Sequence, residues 1–264
     1  MKLSTILLSF LFLILLACQS NNKSSESEEA TNQEIEKLSM NDSTVPSVNH
    51  EIYTTPDDWL ADSIIKLSEV DKWGIDNFFR INEINDDLFA MINNNSFNKS
   101  CPVSRDQLRV INLIHIDFDG GIKHGKLICN KKIAEDVAEI FKTLYKSSYP
   151  IESVKLIEEF GNDDVKSMAA NNTSCFNSRK TTSGSKISRH AYGMAIDINP
   201  LYNPYIKKKT GEILPSEGSQ YINREKDFLH KINKEDQAYK EFSKYGFRWG
   251  GNWRTIKDYQ HFEK

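Results

Sequence analysis

Charge of one sign is what this sequence most conspicuously lacks: 34 Lys and Arg stand against 37 Asp and Glu, a formal net charge of -3. No field of that size draws a nucleic acid, so that class of partner is excluded. Paired thiols are missing as well. The four cysteines, Cys18, Cys101, Cys129 and Cys175, include no C-x-x-C, which argues against a thiolate metal site. With Cys18 set apart, at most one disulfide can form among the other three, and its pairing is open. There is no internal repeat, and the only long apolar run lies at the very start.

That run, "MKLSTILLSFLFLILLAC", carries one lysine near its beginning, continues almost wholly apolar, and stops at a cysteine where the chain turns polar. It is short for a membrane span and reads as a secretory signal. Leu15-Leu16-Ala17-Cys18 resembles the bacterial lipoprotein box, which implies residues 1–17 as the signal peptide and a lipid on Cys18. Residues 19–50 are rich in Ser, Asn and Glu and poor in aromatics, too polar to offset the entropy of ordering. Residues 18–50 therefore read as a lipidated cysteine and a disordered tether, with a reach on the order of 30 Å. The expected localisation is that of an exported bacterial lipoprotein, anchored to a membrane and facing the periplasm or the cell surface.

Residues 51–264 carry the folded part. "TPDDWLADSIIKLSEVDKW" and "INEINDDLFAMINN" have helical spacing. "LRVINLIHIDF" alternates, with Val110, Ile114, Ile116 and Phe118 on one face broken by Asn112, and Asp119-Gly120-Gly121 turns it into "IKHGKLIC" as a β-hairpin. Asn130 is placed to cap a helix whose stripe is Ile133, Val137, Ile140, Phe141, Leu144 and Tyr145. "IESVKLI" reads as a strand, "EDQAYKEFSKYGF" as a core helix, and residues 201–233 as either a rim of a cleft or a surface insertion. Strands and helices in irregular order make an α+β domain, a small antiparallel sheet flanked by helices.

The chemistry concentrates in "SRHAYGMAIDINP", residues 188–200. His190 and Asp197 would point to opposite faces of a regular strand, and in a helix they would lie roughly 10 Å apart along the axis. Gly193 supplies the bend, as a turn or a bulge, that brings both to one side. Asp197 interrupts the apolar alternation of "MAIDI", and a carboxylate there calls for a cation. A catalytic zinc takes three protein ligands and keeps a fourth position open. "DYQHF" near the end provides His261 as the third ligand and Asp258 as the general base for the attacking water. Trp249, Gly250, Gly251 and Trp253 read as a tightly packed wall beside them. His115, His124 and His230 read as structural, and His50 belongs to the tether.

Taken together, Ser188-x-His190-x-x-Gly193-x-Ala195-x-Asp197, then W-G-G-x-W and D-x-x-H-F, resemble the zinc D-alanyl-D-alanine carboxypeptidases and the related L-alanyl-D-glutamate endopeptidases. "CPV" and "CFNSRK" fit the same domain, so the likeness spans roughly residues 85–264. It implies the hedgehog/DD-peptidase fold, one zinc ion held by His190, Asp197 and His261, and Asp258 as catalytic acid/base. It also implies that Arg179 lies beside the substrate, as a carboxylate or oxyanion partner, and that Ser188 hydrogen-bonds substrate. Asn252 and Gln260 depart from the pattern, standing where many relatives carry Asp and Pro. The substrate class implied is peptidoglycan stem peptide, reached from a membrane through the lipid anchor by a monomer. Release of D-alanine and cleavage between L-alanine and D-glutamate both stay open. A zinc-containing module of the same fold that binds wall without turnover is the alternative, and a structural lipoprotein without an ion is the weaker rival.

Overall fold

The hairpin read from "LRVINLIHIDF" and "IKHGKLIC" is the spine of the domain. A computed structural model of the chain describes residues 55–182, 184 and 186–264. The signal peptide, Cys18 and the tether lie outside the described residues.

In chain order, helix α1 (Leu67–Trp73) precedes strand β1 (Arg80–Glu83) and helix α2 (Asp86–Ile92). The long pair β2 (Leu108–Ile116) and β3 (Ile122–Asn130) comes next, with register Leu108↔Asn130 through Ile116↔Ile122. Strand β1 adds to β2 antiparallel, Arg80 opposite Asn112. Here the structure corrects the helical reading of "INEINDDLFAMINN". Its first residues have cross-strand partners, and the helix begins only after Asn85, whose side chain accepts from Leu88 N at 2.8 Å.

Helix α3 (Ala134–Lys146) buries Val137, Ile140, Phe141 and Leu144 against Ile111, Leu113 and Leu127 of the hairpin. The opposite face of the same strands, with Val110 and Ile128, is covered by Ile92, Leu156 and Phe176. β2 is therefore buried on both faces rather than one. Asn112 is accommodated because its Nδ2 donates to Asp57 Oδ1 at 3.0 Å. Asn130 does not cap α3, whose first flanking residue is Ile133. It ends β3, where its Oδ1 accepts from Lys132 N at 3.1 Å and its Nδ2 donates to Tyr192 O at 3.0 Å. "IESVKLI" shortens to β4 (Ser153–Val154), because the chain passes into a 3-10 turn at Ile157–Phe160.

Helix α4 (Asp164–Ala169) and β5 (Asn172–Thr173) follow, β5 lying parallel to β4. The C-terminal half is built of short strands: β6 (Ala195–Asp197), β7 (Tyr205–Lys207), β8 (Glu212–Leu214), β9 (Arg248–Trp249), β10 (Ile256–Asp258) and β11 (His261–Glu263), with α5 (Gln237–Lys244) before β9. They form two antiparallel sheets, in the orders β6-β11-β9 and β10-β7-β8. Residues 201–233 thus enter the cleft rim through the β7–β8 hairpin. Arg224 ties down the rest of that stretch, donating to Tyr202 O at 2.9 Å, Asn203 Oδ1 at 3.0 Å and Ile232 O at 2.8 Å. As expected, α5 is core: Ala238 and Phe242 are fully buried, and Phe242 stacks on Phe262 at 4.5 Å.

The fold is α+β, with small antiparallel sheets and flanking helices. Cys101, Cys129 and Cys175 are free thiols, so no disulfide forms among them. Among the described residues no helix is long and apolar enough to cross a membrane.

Candidate metal centre and cleft

Asp197 closes β6 and His261 opens β11, and the two are directly opposed in the antiparallel register. A cross-strand pair shares one face of the sheet, so these side chains meet without any special device. Nδ1 of His261 lies 2.9 Å from Asp197 Oδ1.

His190 arrives differently. It sits not on a bulged strand but on a 3-10 turn, Arg189–Tyr192, that Gly193 ends at φ 63°. Gly193 serves as the bend expected of it, in the form of a left-handed turn. A Cβ there would come 2.7 Å from Asn130 N, which donates to Gly193 O at 2.8 Å. The turn is thus pressed directly onto the end of β3. Ser188 starts it, its Oγ accepting from His190 N at 3.3 Å. Nδ1 of His190 donates to Cys175 O at 2.6 Å, which fixes the tautomer and leaves Nε2 free to act as a ligand. That Nε2 is 3.2 Å from Asp197 Oδ2 and 3.2 Å from His261 Nδ1.

All three residues are buried, and one ligand atom from each lies within 4.8 Å of the others. The two imidazole nitrogens, 3.2 Å apart, match the roughly 3.3 Å edge of a tetrahedron with ~2.0–2.1 Å bonds, and each lies about 3 Å from a different oxygen of Asp197. Two imidazole nitrogens and one carboxylate oxygen are also the donor types that zinc takes, so the residues fit the ion the resemblance implies. Burial opposes the charge on Asp197, but the two imidazoles beside it prevail and hold its carboxyl well below the usual range. Burial likewise disfavours the His261 cation. Asp197 and Glu263 overcome this and push its pKa up to about 10.

Asp258, at the end of β10, completes the group. Its Oδ1 is shielded from solvent and has no hydrogen-bond partner. Burial, with Asp197 adding to it against the nearby imidazoles, pushes the carboxyl up to about 6. Gly250 makes the wall expected from "WGGNW". A Cβ on it would lie 2.6 Å from Asp258 O and 3.3 Å from His261 Cβ, so only glycine lets the turn come this close.

The cleft in front of these groups has a volume of about 180 Å³, room for several waters or part of a peptide. Arg179 and Ser188 both line it. Arg179 Nη2 is held by Asp164 Oδ2 of α4 at 2.7 Å, while its Nε is buried without a partner. Tyr205 and Leu214 of the β7–β8 hairpin, together with Trp253 and Ile256, form the apolar wall. Gln260 is part of the lining, whereas Asn252 is exposed outside it.

His115, His124 and His230 lie away from the cleft. His115 Nδ1 bonds Ile151 O at 2.7 Å and burial lowers its pKa to about 4; burial takes His124 to about 3; His230 stacks on Phe118 at 3.5 Å.

Sequence reasoning missed three supports. Glu263 Oε2 is 3.4 Å from His261 Nε2, and its other oxygen is held by Arg248 at 2.7 Å. The signal was there, since residues i and i+2 of a strand share a face and "HFE" is strand. The Cys175 carbonyl and Asp164 left no signal, because a main-chain acceptor and a helix-borne counter-ion have no motif of their own.

Residues 181–264 match the family model described as D-alanyl-D-alanine carboxypeptidase. No curated protein and no solved structure matches the chain.

Proposed function

We propose, from the match of residues 181–264 to the family model described as D-alanyl-D-alanine carboxypeptidase, that the chain is a zinc metallopeptidase hydrolysing amide bonds in peptidoglycan stem peptides. The observation that carries this is the convergence of buried His190, Asp197 and His261, one ligand atom each, within 4.8 Å, beside the unpartnered Oδ1 of Asp258.

A zinc ion on those three side chains would supply Lewis-acid polarisation of the scissile carbonyl and acidify the attacking water. The chain's own residues do the rest. Asp258 Oδ1 accepts the proton of that water and returns it to the departing amine nitrogen. Without the ion burial raises this carboxyl to about 6, and a cation beside it would keep it ionised at neutral pH and ready to act as base. Arg179, steadied by Asp164, faces the cleft to pair with the oxyanion or with a substrate carboxylate. His190 and His261 are pre-oriented by Cys175 O and Glu263, so little reorganisation is needed. Ser188 keeps His190 in its turn while its side chain borders the cleft.

Export, a lipid on Cys18 and a tether through residue 50 complete the proposal, and they rest on the "LLAC" motif and the polar composition that follows it. A domain anchored in this way meets wall peptides at a distance from the bilayer.

The test is incubation of residues 19–264 with defined muropeptides and identification of products by mass, alongside a chelated sample and Asp258→Ala. Loss of terminal D-alanine assigns a carboxypeptidase; a cut between L-alanine and D-glutamate assigns an endopeptidase. No zinc-dependent product from any muropeptide would overturn the proposal.

A further inference from the structure

Strand β10 has a second face. Ile256 and Asp258 line the cleft, and Lys257 between them lines a different cavity, as alternation along a strand requires. That cavity is open, has a volume of about 410 Å³ and shares no lining residue with the cleft. Four cations border it, Arg224, Lys231, Lys234 and Lys257, against the single acid Glu235. The whole chain carries a net charge of -3, so this positive excess is local and runs against the rest of the molecule. Tertiary folding gathers it: Lys257 comes from β10, and the other three come from the segment between β8 and α5.

The cations differ in how well they are compensated. Lys231 is paired with Asp227 at 3.2 Å. The Nη atoms of Arg224 are spent on neutral oxygens and its guanidinium lies over Tyr259 at 4.3 Å, so it supplies a fixed positive charge without a free fork. Lys257 donates to Gly251 O at 2.7 Å, which leaves two of its N–H groups. The charges acting on it are Lys208 and Lys234, both of its own sign; burial, and then these two lysines, hold its ammonium below the usual lysine range. The ammonium of Lys234 is exposed and makes no hydrogen bond or ion pair among the described residues.

Like charges gathered without counter-ions repel one another, and an anion bound among them removes that repulsion. Lysine ammoniums are compact point charges that suit phosphate, and the one guanidinium in the lining has no fork left for a planar carboxylate.

We propose that the cavity behind β10 is a binding site for a phosphate group, with Lys257 and Lys234 as its donors and Arg224 adding to its field. The ligand class is a phosphate or phosphate ester, whether free, part of a wall polymer or the headgroup of a lipid. The site lies outside the peptidase cleft and stands whether or not the cleft cuts peptides.

Calorimetric titration of the chain with inorganic phosphate at low ionic strength tests this. Expected is one phosphate per chain with a Kd of about 1 mM or tighter, the same in zinc-loaded and zinc-free protein and weakened by sodium chloride. Lys234→Gln and Lys257→Gln should each loosen binding about threefold and together about tenfold, on the scale of exposed charge interactions, while Lys234→Arg retains it. Arg179→Gln, which alters only the cleft, should leave it unchanged. Lys234 has no side-chain partner to lose, so the Tm of Lys234→Gln should match wild type within about 2 °C. No saturable binding below about 10 mM, an affinity unchanged in both glutamine variants, or binding that needs zinc or Arg179 would overturn the inference, the last by placing the anion in the cleft. Parallel titrations with glycerophosphoglycerol and with vesicles of equimolar phosphatidylcholine and phosphatidylglycerol leave the site standing and identify its source. Vesicle binding that the double glutamine variant loses assigns a lipid headgroup, diester binding without vesicle binding assigns a wall polymer, and inorganic phosphate alone assigns a small soluble phosphate.

Discussion

Glu263 Oε2 sits 3.4 Å from Nε2 of His261, on the opposite edge of the ring from Asp197, whose Oδ1 lies 2.9 Å from Nδ1. One carboxylate therefore shares the nitrogen turned toward His190 while the other orients the ring from behind. Outer carboxylates of this kind fix a ligand's tautomer and raise its basicity. Glu263→Ala is expected to weaken zinc binding by about 10–100-fold, and Glu263→Gln, which keeps an acceptor but no charge, by less. Competition with a chromophoric chelator measures both. Affinities within twofold of wild type would remove Glu263 from the centre.

Asp258 is raised to about 6 chiefly by burial, and this gives it two measurable signatures. As a base it works only when ionised, so kcat/KM should fall tenfold per pH unit below its pKa, which a zinc ion beside it would bring under the zinc-free value of about 6. Asp258→Asn should lose about 10²–10⁴ in turnover while keeping its zinc. The stability effect has the opposite sign. A carboxyl whose folded pKa lies above its unfolded value favours the folded state in acid, and that advantage is lost as pH rises from about 4 through 6. Zinc-free Asp258→Asn should therefore be more stable than wild type above pH 6, by on the order of 1–3 kcal/mol, and indistinguishable below pH 4. Urea unfolding at several pH values reads this directly.

Gly193 leaves no room for a side chain near the centre. At φ 63° an L side chain is already strained, and its Cβ would sit 2.7 Å from Asn130 N and 3.1 Å from Cys129 C, both main-chain atoms that cannot swing away. Gly193→Ala should cost at least about 2 kcal/mol in denaturant unfolding and displace His190 enough to weaken zinc binding. A variant within 0.5 kcal/mol of wild type, on the scale of an ordinary surface change, would contradict the packing described.

How far the centre was legible depends on which interactions made it. Asp197 stands out because a carboxylate breaks an apolar alternation, and His261 because it follows Asp258 at short spacing; the structure brings the two side chains together. The reason offered for their meeting was only half of the physical one. Gly193 bends the chain so that His190 turns back, but Asp197 and His261 meet through strand pairing over 64 positions, and such pairing has no local pattern. The long hairpin was readable from its alternation and its glycine turn. Strand β1 was not, because "INEI" read as the first turn of the helix that begins after Asn85. Asn130 looked like a helix cap because Asn before an apolar stripe commonly is one. Its amide instead braces the turn that carries His190, a tertiary contact no local pattern reveals.

Zinc binding should also be a proton-release reaction, with a count set by the two carboxylate-bound groups. Asp197 is already ionised, held so by the imidazoles, and contributes no proton. His261, raised to about 10, carries one at neutral pH on the nitrogen that faces the other ligands, and that proton must leave when a metal takes its place. One proton per zinc is expected, from calorimetry in buffers of different ionisation enthalpy, with apparent affinity rising tenfold per pH unit up to about 10. Stability follows the same linkage. In the zinc-free protein the raised His261 pKa stabilises the fold fully below pH 6.5, its unfolded value, and this contribution is lost as pH rises toward 10. The zinc-bound form has no such proton to lose. At a fixed free-zinc concentration set to 100 times the Kd at pH 6.5, the gap in Tm between zinc-loaded and chelated protein, roughly 5–10 °C at that pH, should therefore widen toward pH 9. A gap that narrows over that range, or a proton count near zero, would mean that His261 is not the ligand whose proton the metal replaces.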